Sequence, residues 1–373
     1  MSPDVIDLLA RLVEIDSVNS TLVPGAAGEA AIAEFVAAWA TDAGLAVEMV
    51  EDRNVIVRTS GGGAGRRLLL CGHLDTVGTG GMADPLMPRV EGDRMYGRGT
   101  YDMKGGLAAA LIACRDADAM GLPGEVIVAA VADEEHSSIG IQDVLPHLSA
   151  DAAIVCEPTE LAVAIAHKGF VWTEVEVIGV AAHGSRPHLG VDAILKTGPI
   201  LVALDRLDQE LRARTHPLLG SGNLHASMIH GGREEPTVPD HCLLTIERRL
   251  LPGETAADAE RDVADLVARC TRADPALRAE TRTTLTRAPM ETPADTEIGG
   301  TLTAAATQVT GVPPEITGAS YWADSAFVSA AGIPTVLYGP GGGGAHAEVE
   351  WVSVPDTIAC AKALTASAAR FCT

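Results

Sequence analysis

The first half of the chain alternates amphipathic segments with short, continuous apolar runs. A helical spacing of apolar residues covers residues 3–15, 28–43 and 103–120. Apolar runs that end at turn residues cover residues 45–50, 54–60, 68–75, 125–133 and 152–159. This alternation predicts an α/β fold with a mainly parallel sheet and helices on both faces. In such sheets, functional side chains lie just beyond the carboxyl ends of the strands.

The pattern changes near residue 167. Segments with alternating apolar and polar residues, typical of strands with one exposed face, now flank two long helical segments. We therefore predict a smaller α+β domain, residues 167–283, inserted into a catalytic domain formed by residues 1–166 and 284–373. The chain returns to the catalytic domain through a predicted helix near residues 299–310.

Composition narrows the class of protein and the compartment. A chain of 373 residues is long enough for two domains, and its formal net charge of −23 makes nucleic-acid binding improbable. The N-terminal segment lacks the pattern of a signal peptide, and no apolar run is long enough to span a bilayer. The seven cysteines form no CxxC pair, which indicates reduced thiols in a cytoplasmic protein. Cys71 as a nucleophile is a minor alternative.

His73 and Asp75 form a His-x-Asp pair at the end of the apolar run 68–75. Residues two apart on a strand point to the same side of the sheet. Asp75 can then accept a hydrogen bond from one ring nitrogen of His73 while the other nitrogen binds a metal. The alternative is a histidine that only makes a hydrogen bond at a strand end.

Acidic residues mark two further junctions. Asp102 precedes a predicted helix in GRGTYDMKGG, where it is either a metal ligand or a helix N-cap. Asp133, Glu134 and Glu135 close the apolar run 125–133. Adjacent carboxylates at a buried strand end repel one another, and cations or raised pKa values must relieve that repulsion. A solvated acidic loop is the alternative for this triplet.

Glu157 in CEPT and His346 in GGGGAHAE occupy equivalent places, where a predicted strand passes into a loop. Each is a weak signal alone. Histidine and carboxylate side chains at several strand ends of one sheet together predict a metal site.

Motifs along the whole chain resemble those of one known family. In order, they are GHLDTV, GRGTYDMKGG, DEE, CEPT, AAHGSRPHLG, ERRLLPGE and GPGGGGAHAEVEW. The chain resembles the di-zinc aminoacylase and carboxypeptidase family, which includes acetylornithine deacetylase, succinyl-diaminopimelate desuccinylase, aminoacylases and glutamate carboxypeptidase. The similarity is closest to acetylornithine-deacetylase-like members. It implies a zinc-exopeptidase-like fold, a lid and dimerisation domain at residues 167–283, and two zinc ions, for which cobalt or manganese can substitute.

The resemblance also implies the ligands of the two metals, which are His73, Asp102, Glu135, Glu157 and His346. Asp102 would bridge both ions. His73 and Glu157 would complete one site, and Glu135 and His346 the other. Each zinc then has three protein ligands and room for a shared water.

Two more residues receive roles from the resemblance. Glu134 is expected to be the general base that takes a proton from the metal-activated water and delivers it to the leaving amine. Asp75 is expected to orient His73. A non-catalytic relative should have lost Glu134 or a ligand, and all these positions are filled here.

The predicted lid supplies substrate contacts. His183 would donate a hydrogen bond to the tetrahedral oxyanion, in several family members across a dimer. Arg249 would bind the substrate carboxylate through its planar guanidinium, and the sequence leaves open whether Arg249 or Arg248 faces the substrate. Gly343 would place a backbone amide near the same carboxylate. Tyr321 either lines a specificity pocket or packs in the core.

The expected protein is a cytoplasmic, homodimeric metalloenzyme that hydrolyses the amide bond of N-acyl amino acids, as acetylornithine deacetylase does. The first alternative is a dipeptidase or carboxypeptidase acting on short peptides with a free carboxylate. A hydrolase with one metal ion, or with a metal other than zinc, is a second alternative. The sequence does not identify the acyl group or the amino acid.

Overall fold

The computed structural model describes residues 2–61 and 65–373. Residues 62–64 lie outside this description; they belong to the glycine-rich segment 60–67, for which the sequence predicts a turn. The α-helices are α1 (Ser2–Val13), α2 (Ala30–Asp42), α3 (Gly105–Met120), α4 (Ile139–Val144), α5 (Ala193–Arg212), α6 (Ala256–Ala273), α7 (Glu297–Thr310), α8 (Ser325–Ala330) and α9 (Val354–Phe371). None of these described helices has both the length and the apolar character needed to cross a bilayer.

The strands are short in the first part of the chain and longer in the middle. They are β1 (Ala46–Val50), β2 (Asn54–Arg58), β3 (Arg67–His73), β4 (Arg89–Glu91), β5 (Arg94–Tyr96), β6 (Glu125–Val131), β7 (Ala152–Val155), β8 (Val163–His167), β9 (Gly169–Ile178), β10 (Ala182–His183), β11 (Thr215–His216), β12 (Gly220–Ser221), β13 (Asn223–Gly231), β14 (Thr237–Val238), β15 (His241–Leu250), β16 (Arg278–Arg287), β17 (Met290–Glu291), β18 (Ile316–Ala319), β19 (Thr335–Leu337), β20 (Gly342–Gly343) and β21 (Trp351–Ser353).

A mixed sheet with the order β1-β2-β6-β3-β7-β19-β8 organises the first part of the fold. Strands β6, β3, β7 and β19 are parallel, which confirms the predicted α/β class. The flanks differ from the prediction of a mainly parallel sheet, since β1, β2 and β8 pair antiparallel to their neighbours. Consecutive residues of β3 and β6 are buried, so both faces of the sheet are covered.

A second sheet, β13-β15-β9-β16, is antiparallel throughout. Strand β15 alternates buried and half-buried residues, as expected when helices cover one face only. Helices α5 and α6 pack on the buried face around Leu204, Leu244 and Leu266. Thr255 and Asp258 begin α6 with reciprocal side-chain to backbone hydrogen bonds, a capping box.

These sheets belong to two compact units. The first comprises Met1–Ile165, Thr292–Thr317 and Ala323–Thr373, and the second comprises Ala166–Glu291 and Gly318–Trp322. The second unit extends beyond the predicted boundary between residues 283 and 284, because β16 continues its pairing with β9 to Arg287. Residues 318–322 were also predicted to lie in the catalytic domain. They belong to the second unit, where the ring of Trp322 lies 6.2 Å from that of Phe170.

Candidate metal centre

The candidate ligands of the first unit lie where parallel strands end. His73 is the last residue of β3, Glu135 follows β6, and Glu157 follows β7. Asp102 lies in the turn between β5 and α3, and His346 lies in the loop between β20 and β21. Because the carboxyl ends of parallel strands meet at one edge of a sheet, residues far apart in sequence converge there.

Distances between these side chains define two groups that share Asp102. His73 Nε2 lies 3.4 Å from Asp102 Oδ1 and 3.9 Å from Glu157 Oε1. On the other side, His346 Nε2 lies 3.2 Å from Asp102 Oδ2 and 3.1 Å from Glu135 Oε2. Ligand atoms of His73, Asp102 and Glu135 also lie within 4.8 Å of one another. The two oxygens of Asp102 therefore face different histidines.

Asp75 supports this cluster through its backbone and its side chain. Its carbonyl oxygen accepts a hydrogen bond from His73 Nδ1 at 2.9 Å, whereas its carboxylate lies farther from that nitrogen, at 3.5 Å. Nδ1 therefore donates its proton to Asp75, and Nε2 is the ring nitrogen that faces the carboxylates. The sequence predicted a carboxylate as the partner of His73; the structure shows the carbonyl oxygen as the closer acceptor.

The Asp75 carboxylate instead holds the loop of Glu134 and Glu135. It accepts the backbone N–H of each residue at 3.1 Å. Asn19, which is fully buried, adds a third hydrogen bond to Asp75 at 2.9 Å and a further one to Asp133 at 3.0 Å. The acidic triplet is therefore a fixed loop with defined side-chain directions, and the alternative of a solvated acidic loop is wrong.

The turn that carries Asp102 is equally ordered. Helix α3 begins only at Gly105 and has no side-chain cap, so the helix N-cap alternative for Asp102 is wrong. The peptide bond between Asp102 and Met103 is cis. A Cβ atom on Gly106 would come within 1.8 Å of the carbonyl oxygen of Cys156, which explains why glycine is needed where α3 approaches β7.

Burial and mutual repulsion shift the pKa values of the carboxylates in this cluster. Burial, reinforced by neighbouring carboxylates, raises the pKa of Glu157 to about 8 and also raises the pKa values of Glu134 and Glu135. Hydrogen bonds to Asp102 and Glu135 raise the pKa of His346 to about 10. Burial alone would raise the pKa of Asp102, but its hydrogen bonds to His346 and His73 outweigh that effect and lower it.

These properties fit a site for divalent cations. Several buried carboxylates face one another, and bound cations would relieve their repulsion. Glu135 Oε1 is buried and has no hydrogen-bond partner among the described residues. Imidazole nitrogens and carboxylate oxygens at these distances are the donors that zinc takes in catalytic sites.

His183, in the second unit, is exposed at the end of β10, with its ring orientation set locally. Its Nδ1 accepts the backbone N–H of Ser185 at 3.1 Å and lies 2.8 Å from the Ser185 hydroxyl. A backbone N–H can only donate, so the ring proton of neutral His183 is on Nε2. His183 therefore presents an N–H donor to its surroundings.

The two arginines of β15 point in opposite directions. Arg248 is buried and donates to Asp262 at 2.7 Å and to Glu254 at 2.8 Å inside the second unit. Arg249 is half-buried, donates to Glu247 at 2.7 Å and lies over the ring of Phe170. Arg248 is thus committed to structural ion pairs, and Arg249 stays the candidate for binding a carboxylate.

The other candidates occupy varied surroundings. Tyr321 belongs to the second unit, next to Trp322, which packs edge-on against the His167 ring. Gly343 lies in β20 and pairs with Trp351, and its role as an amide donor to substrate stays a prediction. Cys71 is fully buried, and burial raises the pKa of its thiol well above the usual range, so a nucleophilic role is excluded.

Sequence reasoning missed three buried polar residues near the cluster. Asn19 binds Asp75, and Glu350 binds the turn of Asp102. The charge of Asp324 adds to the effect of burial in raising the pKa of Glu157. Polar residues in apolar surroundings were visible in the sequence, but their partners lie tens to hundreds of residues away.

Comparisons with known proteins show similarity in sequence and in fold. A family model described as peptidase family M20/M25/M40 matches residues 69–370. An acetylornithine deacetylase from Myxococcus xanthus is 31% identical over 333 residues, which cover 87% of this chain and 85% of that protein. A tripeptidase from Staphylococcus aureus superposes with a TM-score of 0.82 at 19% identity, covering 100% of this chain and 99% of that chain. A dinuclear metal-binding peptidase of the M20 family from Bacillus subtilis superposes with a TM-score of 0.75 at 13% identity, covering 100% of this chain and 98% of that chain.

The family match extends over most of the chain, and the relative from Myxococcus xanthus exceeds 30% identity over most of both proteins. The solved structures show that the fold is shared along the whole length. These findings confirm the family resemblance and the enzyme class predicted from the motifs. The chain belongs to peptidase family M20/M25/M40 and is a metallohydrolase.

Proposed function

We propose that this metallohydrolase binds two zinc ions and removes the acyl group from N-acyl amino acids. The observation that carries the proposal is the pair of side-chain groups that share Asp102, with His73 and Glu157 on one side and His346 and Glu135 on the other. When bound, two metal ions would lower the pKa of a shared water and polarise the amide carbonyl.

Glu134 is the residue that we assign as general base. Its neighbour Glu135 is engaged by His346 at 3.1 Å, whereas the structure gives the Glu134 carboxylate no ion pair among the described residues. The Glu134 backbone N–H donates to Asp75, which fixes the position of the loop. A carboxylate that is held in place but is not engaged as a ligand can accept a proton and deliver it to the leaving amine.

His183 is the proposed oxyanion donor. Because Ser185 occupies Nδ1, the proton of the neutral ring is on Nε2, as a donor to a developing negative charge requires. Arg249 is the proposed ligand of the substrate carboxylate, since Arg248 is buried in ion pairs. Gly343 and Tyr321 are proposed as further substrate contacts.

The similarity to acetylornithine deacetylase favours deacylation of a small N-acyl amino acid. A peptidase acting on short peptides is the second candidate, and the shared fold with a tripeptidase is the observation in its favour. The two candidates differ in the group attached to the scissile nitrogen and in whether a free α-amine is accepted.

We also propose that the protein is a homodimer formed through the second unit. Strand β13 is an edge strand with almost every residue exposed, and α5 packs beside it. Leu195 and Val202 of α5 and Met228 and Ile229 of β13 are exposed. Apolar side chains beside an unpaired strand edge favour pairing with a second copy.

A matched pair of variants tests the dimer by light scattering after size-exclusion chromatography. Leu195→Arg should yield monomers, because it places a charge in the proposed interface. Val312→Arg, at another exposed apolar residue, should leave the mass unchanged. A parent protein that is already monomeric, or a Leu195→Arg variant that stays dimeric, would contradict this interface.

Cytoplasmic location is supported by the thiols. All seven cysteines are free, and six of them are buried. Free thiols persist in reducing compartments. Mass spectrometry after alkylation of protein unfolded directly from cells should find seven alkylated cysteines, and any native disulfide would contradict the proposal.

The function is tested by hydrolysis of a panel of N-acetyl, N-succinyl and N-formyl amino acids alongside dipeptides. The enzyme is loaded with zinc, cobalt or manganese, and a chelated sample is the control. Chelator-sensitive cleavage of an acyl amino acid supports deacylation, and cleavage of dipeptides alone supports the peptidase. Failure to cleave any substrate while two metals are bound would contradict both substrate classes.

The mechanism is tested by replacing the base. Glu134→Gln should lower kcat by about 10²–10⁴-fold, because it removes proton transfer, and should keep the parent's metal content. Glu260→Gln, the same substitution at an exposed residue of α6, is the matched control and should leave kcat unchanged. A Glu134→Gln variant with parental kcat would overturn the assignment of the base.

A further inference from the structure

A buried ion pair connects the two loops that carry Asp102 and His346. Glu350 follows His346 by four residues, and Arg98 precedes Asp102 by four. Both side chains are almost completely buried, with Glu350 1% and Arg98 3% exposed. Arg98 Nη1 donates to Glu350 Oε2 at 2.6 Å.

The Glu350 carboxylate also binds the backbone of the turn that carries Asp102. Oε2 accepts the N–H of Gly99 at 3.0 Å, and Oε1 accepts the N–H groups of Tyr101 and Asp102 at 3.0 and 3.1 Å. These amides precede α3 and have no helical carbonyl partner. A single side chain therefore satisfies three backbone donors of one turn, up to Asp102 itself.

Arg98 extends the connection to the other loop. Its Nη2 donates to the carbonyl oxygen of Ala347 at 3.0 Å, directly after His346. His346 has a positive φ of 61°, a conformation that a non-glycine residue keeps only when its surroundings hold it. The ion pair thus binds the backbone of both loops next to the residues whose side chains meet, His346 Nε2 and Asp102 Oδ2, at 3.2 Å.

Pairing of β5 with β21 already holds these segments close together in the sheet. That pairing ends at Tyr96 and Trp351, before either loop reaches its candidate ligand. Beyond this point, the contacts of Glu350 and Arg98 set the distance between the two ligand-bearing loops. Groups that orient metal ligands commonly influence metal affinity as strongly as they influence activity.

We propose that Glu350 and Arg98 are positioning residues that set the geometry of the half-site formed by Asp102, Glu135 and His346. The inference rests on the proposed metal site and deepens it. It predicts that this ion pair controls how tightly the half-site of Asp102, Glu135 and His346 binds its metal ion.

The test replaces one acceptor oxygen. In Glu350→Gln an amide nitrogen faces donors, either Arg98 Nη1 and Gly99 N–H or, if the amide rotates, Tyr101 and Asp102 N–H. Affinity for one of the two zinc ions should fall by about 10–100-fold, measured by competition with a chromophoric chelator, without substrate. Once zinc is saturating, KM should stay near the parental value.

Arg98→Lys is a second, milder variant, because lysine keeps the charge but cannot donate to Glu350 and Ala347 with a planar fork. It should weaken the same zinc and remain folded even if Glu350→Gln does not. Asp262→Asn is the matched control, since it removes a charged partner of the buried Arg248 in the second unit. It should lower stability and leave both zinc affinities unchanged.

Each outcome decides the proposal. Loss of affinity for one zinc in the Glu350 or Arg98 variants, with no loss in the Asp262 control, supports it. Folded variants that bind two zinc ions as the parent does overturn it, and so does an equal loss in the control. A parent that binds no zinc would instead contradict the proposed function, so the two failures are distinguishable.

Discussion

Replacing the buried His167 by asparagine should make the second unit less sensitive to acid. His167 is fully buried, and its Nδ1 donates to the carbonyl oxygen of Lys168 at 3.0 Å. Its Nε2 is buried with no hydrogen-bond partner among the described residues. Protonation would add a charge and an N–H group that no acceptor faces, so burial lowers the pKa of His167 from 6.5 to about 4.

The sign and size of the effect follow from proton linkage. Between pH 6.5 and about 4, the unfolded chain holds a proton on His167 that the folded chain does not, so stability falls as the pH falls through this range. The gap between the two pKa values corresponds to about 3 kcal/mol at about 1.4 kcal/mol per pKa unit. Above pH 6.5 the protonation of this histidine should not affect stability.

The assay is urea unfolding of parent and variant from pH 4.5 to 8. Because the chain has two compact units, hydrogen exchange of β9 amides should accompany fluorescence and report on the second unit. His167→Asn should be less stable than the parent at pH 8, and the difference should shrink by about 2–3 kcal/mol as the pH falls to 4.5. His225→Asn, at an exposed histidine of β13, is the control.

A stability difference between parent and His167→Asn that stays constant with pH would show that burial does not lower the pKa of His167. So would an NMR titration in which the His167 ring takes up its proton near pH 6.5. Either result would mean that the buried ring does gain an acceptor or a water on protonation.

Three further predictions concern the metal centre and the oxyanion donor. Asn19→Ala removes hydrogen bonds to two buried carboxylates, and each of these bonds contributes about 1.5–3 kcal/mol. The variant should bind metal about 10–100-fold more weakly in competition with a chelator, and unchanged affinity would show that Asn19 does not support Asp75. Ser185→Ala should lower kcat by up to about 10-fold at constant metal content, because His183 loses one of the contacts that orient its ring. An unchanged kcat would count against His183 as an oxyanion donor oriented by Ser185. Chelation should lower the thermal midpoint of the first unit reversibly, since free metal at 100 times its Kd contributes about 2.7 kcal/mol; a midpoint insensitive to chelator and zinc would contradict the site.

Local sequence determined the secondary structure and most of the candidate ligands. Apolar runs predicted strands such as β3 and β6, because a strand buried on both faces needs consecutive apolar residues. Functional side chains follow such runs directly, so the candidates His73, Glu135 and Glu157 could be named before any contact was known. Their roles stay predictions until the experiments above are done.

Long-range contacts decided what the sequence left open. Whether Asp102 capped a helix depended on where α3 begins, and the direction of Arg248 depended on Asp262 and Glu254 across the second unit. The second unit extends beyond the predicted residue 283 because β16 pairs with β9 as far as Arg287. Its own alternation of apolar and polar residues did not indicate this length.

An apolar run followed directly by a polar residue was enough to predict the parallel centre of the sheet and the candidate ligands at its edge, because both depend on local order in the sequence. The contacts that hold this edge together join residues far apart in the chain, and they became visible only in the folded structure. Asn19 and Glu350 are bound to Asp75 and to the turn of Asp102 across 56 and 248 residues of sequence. Burial strengthens the hydrogen bonds of such a polar residue. Its partner depends on the packing of the whole unit rather than on its neighbours in the chain.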